Sequence, residues 1–280
     1  MICAWQELLS VLPPLLRPEV DRLGKDSMQE LRLRLGLTPE LVCDFGSVRL
    51  PIKVSGQELQ FVINIASKYS PWLAETLSLG YLTAPGGHRI GICGQAVMKG
   101  GQMTGIRNPT SLCIRVARDF PGMVCDQRLL TGSVLVIGKP GSGKTTFLRD
   151  LIRQRSDVGP GSVAVVDQRA ELFPHASNFD CGQRTDVMIG CGKKEGMEAL
   201  LRTMGPETVA VDEITSEADC MGLLHAARCG VSLVATAHAG SKSDLYTRSV
   251  YKPLISGNIF DMLVILQKDK SWSVERMEHI

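Results

Sequence analysis

Aromatic residues are scarce: three Trp, four Tyr and seven Phe make up 5% of the 280 residues. A chain this poor in flat side chains has little with which to stack unpaired bases. Long apolar runs are missing too. Stretches such as Ser133 to Ile137 and Val231 to Ala237 stop at Gly, Lys or His, well short of the roughly 18 apolar residues a membrane helix requires. A surplus of charge of one sign is absent: 31 Lys+Arg face 29 Asp+Glu, a net +2, which excludes a global pull toward nucleic acid or acidic lipid. The N-terminal stretch Met1 to Arg17 carries Glu7 in place of an early basic cluster and is broken by Pro13-Pro14, so it does not read as a secretory leader. A cytoplasmic protein, peripheral to any membrane it serves, is expected. Nine cysteines are scattered with no C-x-x-C, which argues against a disulfide framework or a zinc ribbon. Most of them read as small buried hydrophobes in a reducing compartment; Cys181 and Cys191, which flank a glycine-containing stretch, are the pair open to a redox reading.

What is present is enough for a core: 44% hydrophobic and 21% charged residues, over a length that suits two domains. From Trp5 to Leu23 the apolar spacing is helical and must break at Pro13-Pro14, with Gly24 ending the second piece. Leu31 to Leu35 alternates as a strand with one wet face, Thr38-Pro39 turns, and Leu41 to Phe45 returns. Glu58 to Leu79 has helical content, with a new helix beginning at Ser70-Pro71 and a stripe of Trp72, Leu73, Thr76 and Leu77. From Tyr81 to Arg118 strands joined by glycine turns are predicted, the last placing Arg115 on one face with Cys113 and Ala117. After Gly132, buried strands (134–137, 163–166, 209–211, 232–236, 262–266) alternate with amphipathic helices. That pattern means an α/β fold with a mostly parallel sheet covered on both sides. The expected division is an α+β N-terminal domain at 1–125, a linker at 126–132 and the α/β domain at 133–280.

Gly138-Lys139-Pro140-Gly141-Ser142-Gly143-Lys144-Thr145 fits G-x-x-x-x-G-K-[ST] and lies between an apolar strand and a helix. The glycines let backbone N–H groups and the helix N-terminus, including Thr146, face a β-phosphate; Lys144 reaches the β and γ oxygens and Thr145 offers a hydroxyl to Mg²⁺. Val209 to Val211 leads into Asp212-Glu213, with Asp212 suited to Mg²⁺ and Glu213 to polarising an attacking water; the plain alternative is that Asp212 caps the next turn. Asp167 and Glu171 reach the same sheet edge. Either they orient water or the metal shell, or they form a salt-bridged loop around Arg169. Thr236 and His238 follow the next strand, where they could sense a γ-phosphate or be structural. A phosphoryl site also wants an arginine, in cis or in trans; Arg89, Arg107, Arg115 and Arg118 are the candidates. Ser241-Lys242-Ser243-Asp244 lacks the amide of a guanine-reading N/T-K-x-D element, so ATP is expected over GTP.

Together the P-loop, Val211-Asp212-Glu213, Asp167 to Glu171 and Thr236-Ala237-His238-Ala239-Gly240 resemble the secretion-ATPase branch of P-loop motors. Glu30 to Arg34, Pro85-Gly86-Gly87-His88-Arg89-Ile90-Gly91 and Ser111 to Arg118 narrow the resemblance to the family of stage III sporulation protein AA. The resemblance implies an N-terminal α+β domain on a RecA-like core and a hexameric ring that docks on a membrane protein. It further implies hydrolysis of ATP with Mg²⁺ to energise a channel between mother cell and forespore. It places Glu171 in an acidic box, His238 in a histidine box, and Arg89 and Arg115 as arginines closing on nucleotide at a subunit boundary. The box here begins Asp167-Gln168-Arg169 rather than with an acidic pair, a departure that bears on Asp167. No nucleic-acid partner is expected. The competing readings are a RecA-like nucleic-acid motor using Arg32, Arg34, Arg115 and Arg118 as a basic track, and a nucleotide-gated assembly platform with negligible turnover.

Overall fold

Pro13-Pro14 splits the first apolar stripe into α1 (Trp5–Val11) and α2 (Arg17–Leu23), because proline has no N–H to give the preceding turn. Gly24, at φ 75°, ends α2. The computed structural model describes residues 1–68, 73–174 and 177–277, with the backbone alone at 73–75. In it the chain forms two units, Met1–Asp119 with Pro174–Phe179, and Phe120–Phe173 with Asp180–Ile280.

The first unit continues with β1 (Met28–Arg34), β2 (Glu40–Cys43), β3 (Gly46–Arg49), α3 (Gly56–Ser67), α4 (Leu73–Ser78), β4 (Tyr81–Thr83), β5 (Arg89–Lys99) and β6 (Gln102–Arg115). The strands form one antiparallel sheet in the order β3-β2-β1-β6-β5-β4. Leu31 and Leu33 pair with Ile114 and Leu112, and this face packs on Leu8, Leu12, Val20, Leu59 and Val62 of the helices. The other face carries ion pairs: Arg32 with Glu30 at 2.7 Å, Arg34 with Glu40 at 2.8 Å, Arg115 with Glu30 at 3.3 Å. The strand β3 had no strong sequence signal, since Gly46 to Arg49 is short and mostly exposed. The helix start at Ser70-Pro71 and the stripe residue Trp72 lie outside the described residues.

The segment Gly86-Gly87-His88 braces this unit. His88 has no exposed surface; its Nδ1 accepts from the Ala117 N–H at 3.0 Å, and its Nε2–H donates to the Ala4 carbonyl at 2.9 Å. Burial lowers its pKa below the ordinary imidazole value. A β-carbon on Gly87 would come within 2.9 Å of Ser177 and 3.0 Å of Pro174, so Pro174 and Ser177 sit as they do only where that side chain is missing.

The second unit comprises β7 (Val134–Gly138), α5 (Lys144–Val158), β8 (Val163–Asp167), β9 (Thr185–Ile189), α6 (Lys193–Thr203), β10 (Thr208–Ile214), α7 (Glu217–Arg228), β11 (Ser232–Ala237), α8 (Lys242–Thr247), α9 (Lys252–Ser256), β12 (Met262–Leu266) and β13 (Trp272–Arg276). The sheet order is β13-β12-β7-β11-β10-β8-β9, parallel except at β13. Helices α6, α7 and α9 cover the face bearing Leu135, Ile137, Val166 and Val211. Strand alternation leaves Val136, Val165 and Ala210 to the opposite face, where α5 lies against β7, β8, β10 and β11. The all-apolar runs thus form a doubly covered sheet. Strand β9 was missed because Thr185 to Ile189 is only half-buried at the sheet edge.

Residues 126–132, read from composition as a linker, are packed into this unit. Leu129 is buried, and the buried Arg155 guanidinium donates to the carbonyls of Leu129 (2.8 Å), Thr131 (3.2 Å) and Gly132 (2.8 Å). Asp150, also on α5 and fully buried, accepts from the N–H groups of Gly122 (3.0 Å) and Val124 (2.8 Å) and pairs with Arg153 at 2.7 Å. Removing the Asp150 carboxylate leaves the Gly122 and Val124 N–H groups without that acceptor and takes the paired charge from the buried Arg153. Asp150→Ala is therefore expected to cost roughly 3–5 kcal/mol in chemical denaturation, while Asp150→Asn, which keeps one acceptor, costs less.

Candidate functional site

Beyond β7 the loop Gly138 to Gly143 curls into α5, with Gly141 and Gly143 at φ 76° and 99°, a region that side chains resist. Lys139, Pro140 and Gly141 are exposed, and Thr145 and Thr146 half-buried. Lys144 is buried and turns back under the loop, donating to the carbonyls of Gly138 (3.0 Å) and Lys139 (3.3 Å) and to His238 Nδ1 (3.0 Å). Burial pushes its ammonium below the usual lysine value, opposed by the pull of Asp212 and Glu213.

Strand β11 lies between the P-loop strand and β10, so Thr236 and His238 stand between the lysine and the acidic pair. Asp212 accepts from Thr145 Oγ1 at 3.0 Å, Thr236 Oγ1 at 2.7 Å and the Glu213 N–H at 2.9 Å. It caps no helix; Ser216 and Asp219 form the capping box of α7. A register shift between Val211 and Ile214 marks a bulge in β10, and Glu213 within it sits at φ 39°. Bulges re-aim side chains, and a non-glycine residue held at positive φ is strain that the surroundings must support. Here the Thr236 hydroxyl accepts from the Glu213 N–H at 2.8 Å. Tyr251, buried, accepts from the His238 N–H at 3.1 Å and donates to the Ile214 carbonyl at 3.4 Å.

His238 closes the chain of contacts. Its Nδ1 faces the Lys144 ammonium and so accepts; its Nε2–H donates to Glu213 Oε1 at 2.9 Å. Lysine, histidine and glutamate form one hydrogen-bonded line.

Asp212, Glu213 and Thr215 share a cleft with Gln168, Arg169 and Glu171 of the loop after β8, and with Lys193 of α6. Within that loop Asp167 takes neither role open to it from the sequence. Its buried carboxylate accepts from the N–H groups of Glu171, Leu172 and Phe173, all at 2.9 Å, so it shapes the loop that presents Glu171. Arg169 is exposed, without an ion pair to Asp167. Arg149 of α5 ties down the loop's other side by donating to the carbonyls of Leu172 (2.5 Å) and Glu171 (2.9 Å). Lys193, buried, donates to Gln168 Oε1 at 3.1 Å and faces Asp219 at 3.7 Å. Neither Lys193, Gln168 nor Tyr251 carried a local signal; each acquires its place through tertiary contact.

Arg89 and Arg115 do not join this group within the second unit. They lie opposite each other on β5 and β6 of the first, Arg89 over the Tyr81 ring at 3.9 Å and Arg115 beside Glu30. Ser241 and Asp244, the nearest guanine-like element, instead cap α8 and accept from Asp244 and Gly240 N–H groups. All nine cysteines are free thiols, and against the expectation of burial Cys43 and Cys220 alone among them are buried, whereas Cys93, Cys125 and Cys229 are exposed.

A polyphosphate fits what is present. The Ser142 hydroxyl is buried in the loop with no hydrogen-bond partner among the described residues, the α5 N-terminus offers N–H groups, and Thr145 and Asp212 place two oxygens side by side, the donor type Mg²⁺ takes.

The X-ray structure of the Legionella pneumophila ATPase DotB matches with a TM-score of 0.61 at 15% identity, over 99% of this chain and 80% of that one. The crystal structure of the pilus retraction motor PilT with bound ADP matches at 0.59 and 15%, over 89% and 76%. The fold and site therefore define a P-loop protein with the secretion-ATPase fold. More particularly, the chain belongs to the family described as sporulation stage III, protein AA, whose model matches residues 6–276. It is 33% identical to stage III sporulation protein AA of Bacillus subtilis (strain 168) over 282 residues, 94% of this chain and 91% of that one.

Burial pushes the Asp167 carboxyl up to about 6, against its N–H donors and Arg149, with Asp212 adding to the rise. The folded state then holds this proton more tightly than the unfolded chain, so the contribution to stability falls as pH rises from about 4 to about 6 and is level above. A carboxyl ¹³C resonance assigned to Asp167 is expected to titrate near 6 while surface aspartates titrate near 4.

Proposed function

We propose that this chain hydrolyses ATP at the second unit's P-loop and, as a ring, works as a motor of the secretion-ATPase type. The observation that carries the reading is the convergence of Lys144, Thr145, Asp212, Glu213 and His238 in one hydrogen-bonded group at the ends of β7, β10 and β11. In this reading Gly138 to Thr146 cradle the phosphates and Thr145 with Asp212 hold Mg²⁺, which neutralises phosphate charge when bound. Lys144 exchanges His238 for a phosphate oxygen. Glu213, freed from His238 or still bound to it, orients water for attack on the γ-phosphorus and takes up its proton. Glu171 borders the same cleft as a second carboxylate.

Arg89 and Arg115 remain the arginines proposed to complete the site from a neighbouring subunit. Each has a partner to give up first, the Tyr81 ring and Glu30 respectively. The family, together with relatives described as an ATPase and as a pilus retraction motor, favours a hexamer at the inner face of a membrane complex. There it would energise a sporulation channel between mother cell and forespore. Among the described residues no helix is long and apolar enough to cross a membrane; the proposed docking partner is a membrane protein of that complex.

The nucleic-acid motor is less well supported: of its basic track, Arg32, Arg34 and Arg115 are paired with carboxylates, and Arg118 donates to the Asp26 carbonyl at 2.9 Å. The non-hydrolysing platform gives no reason for Glu213 to be held in a strained bulge.

The test is ATP hydrolysis against protein concentration with mass measured in parallel. Activity per subunit is expected to rise as the ring assembles, and Lys144→Ala is expected to abolish nucleotide binding. Nucleotide binding with no turnover in the assembled ring would favour the platform.

A further inference from the structure

Strand β12 runs parallel to the P-loop strand with Leu266 opposite Gly138, so the chain leaves β12 beside the point where the P-loop leaves β7. The turn that follows is closed by the Gln267 N–H to the Ser271 carbonyl (2.9 Å) and the Lys270 N–H to the Gln267 carbonyl (3.2 Å). Asp269 accepts from the Ser271 N–H at 3.0 Å and its hydroxyl at 2.6 Å. On its far side β13 begins with Trp272, whose ring meets Phe147 of α5 at a centroid distance of 5.4 Å and an interplanar angle of 69°. This turn is pinned at one end to the P-loop strand and at the other to the P-loop helix.

Lys270 stands in the turn at φ 72°, a conformation usually left to Gly or Asn and kept elsewhere when the surroundings enforce it. Its stem passes over the loop, with Cδ 3.8 Å from where a β-carbon on Gly143 would lie. Its Nζ donates to the Gly141 carbonyl at 2.5 Å. An ammonium has three hydrogens to give. Lys144 spends its own on Gly138, Lys139 and His238, whereas Lys270 spends one within the described residues. The two cations also come from different sides. Asp212, Glu213 and His238 lie on the β11–β10 side of β7, and Lys270 arrives from the β12 side.

We propose that Lys270 is a nucleotide-binding residue whose ammonium holds the diphosphate common to ADP and ATP, from the side of the P-loop opposite Glu213 and His238. This rests on the P-loop reading above and adds to it a second fixed cation. A diphosphate brings two to three negative charges; Lys270 would meet them from the β12 side, in addition to Lys144, about half a positive charge at the helix N-terminus and Mg²⁺ when it is bound. Delivery by a pinned turn also means that little backbone freedom is lost on binding.

Calorimetric titration of ADP and of ATP into the full chain tests this without reference to turnover. Lys270→Ala is expected to weaken both nucleotides by a similar factor, about tenfold, and Lys268→Ala, in the same turn, to leave both unchanged. Lys270→Gln can keep the bond to Gly141 but lacks the charge, and is expected to behave like Lys270→Ala; Lys270→Arg retains most of the affinity. Unchanged affinity in Lys270→Ala and Lys270→Gln would overturn the proposal and leave Lys270 as a latch on the loop. A loss confined to ATP would overturn the assignment to the diphosphate. Failure of the wild type to bind either nucleotide would overturn the P-loop reading itself, and this proposal with it.

Discussion

The carboxylate of Asp150 has no exposed surface, and its position is tolerable because every lone-pair direction it needs is met by Gly122, Val124 and Arg153. It belongs to a row of polar side chains buried along α5. Arg149 holds Glu171 and Leu172, Arg153 also donates to the Asp180 carbonyl at 2.9 Å, and Arg155 holds residues 129 to 132. Each place where the chain passes between the two units, near 119–120, 173–174 and 179–180, is therefore anchored within a few residues to this helix. Its N-terminus is the P-loop. One helix thus carries the P-loop at its N-terminus and holds the chain crossings along its length, and the cost of burying so many polar groups explains why they are so fully paired.

The acidic pair depends on a different support. Strand β10 would carry Asp212 and Glu213 to alternate faces if it ran straight; the bulge brings both to the sheet edge. Thr236 then serves twice, donating to Asp212 and accepting from Glu213, while Tyr251 locks the ends of β10 and β11 together. The strained Glu213 and the lysine–histidine–glutamate line are consequences of placing β11 between the P-loop and the acidic strand.

Most of the fold was legible because its signals are local. Alternating Leu and Arg in β1, the proline break after α1, the apolar runs of β7, β8 and β12, and the glycine-lysine loop each state their structure within a few residues. What was not legible lies in contacts between distant segments. Residues 126–132 look like a linker by composition, and only the guanidinium of Arg155 shows why they are packed. His88, which helps carry the family resemblance, turns out to be a buried brace between Ala4 and Ala117. Asp167, open from the sequence to orienting water or the metal shell or to a salt bridge with Arg169, instead accepts from three backbone N–H groups, a fate that follows from the loop's curvature and from nothing in its composition. Lys193, Tyr251 and Lys270 carry no motif at all; the sheet order places them.

The most direct test is a single-turnover measurement with labelled ATP on the wild type and on Glu213→Gln at matched nucleotide occupancy. The account predicts that the wild type converts bound ATP to ADP and phosphate, while the variant holds it intact, slower by about a hundredfold or more. Equal rates in the two proteins would contradict it, since the strained carboxylate at the centre of the site would then have no part in the reaction.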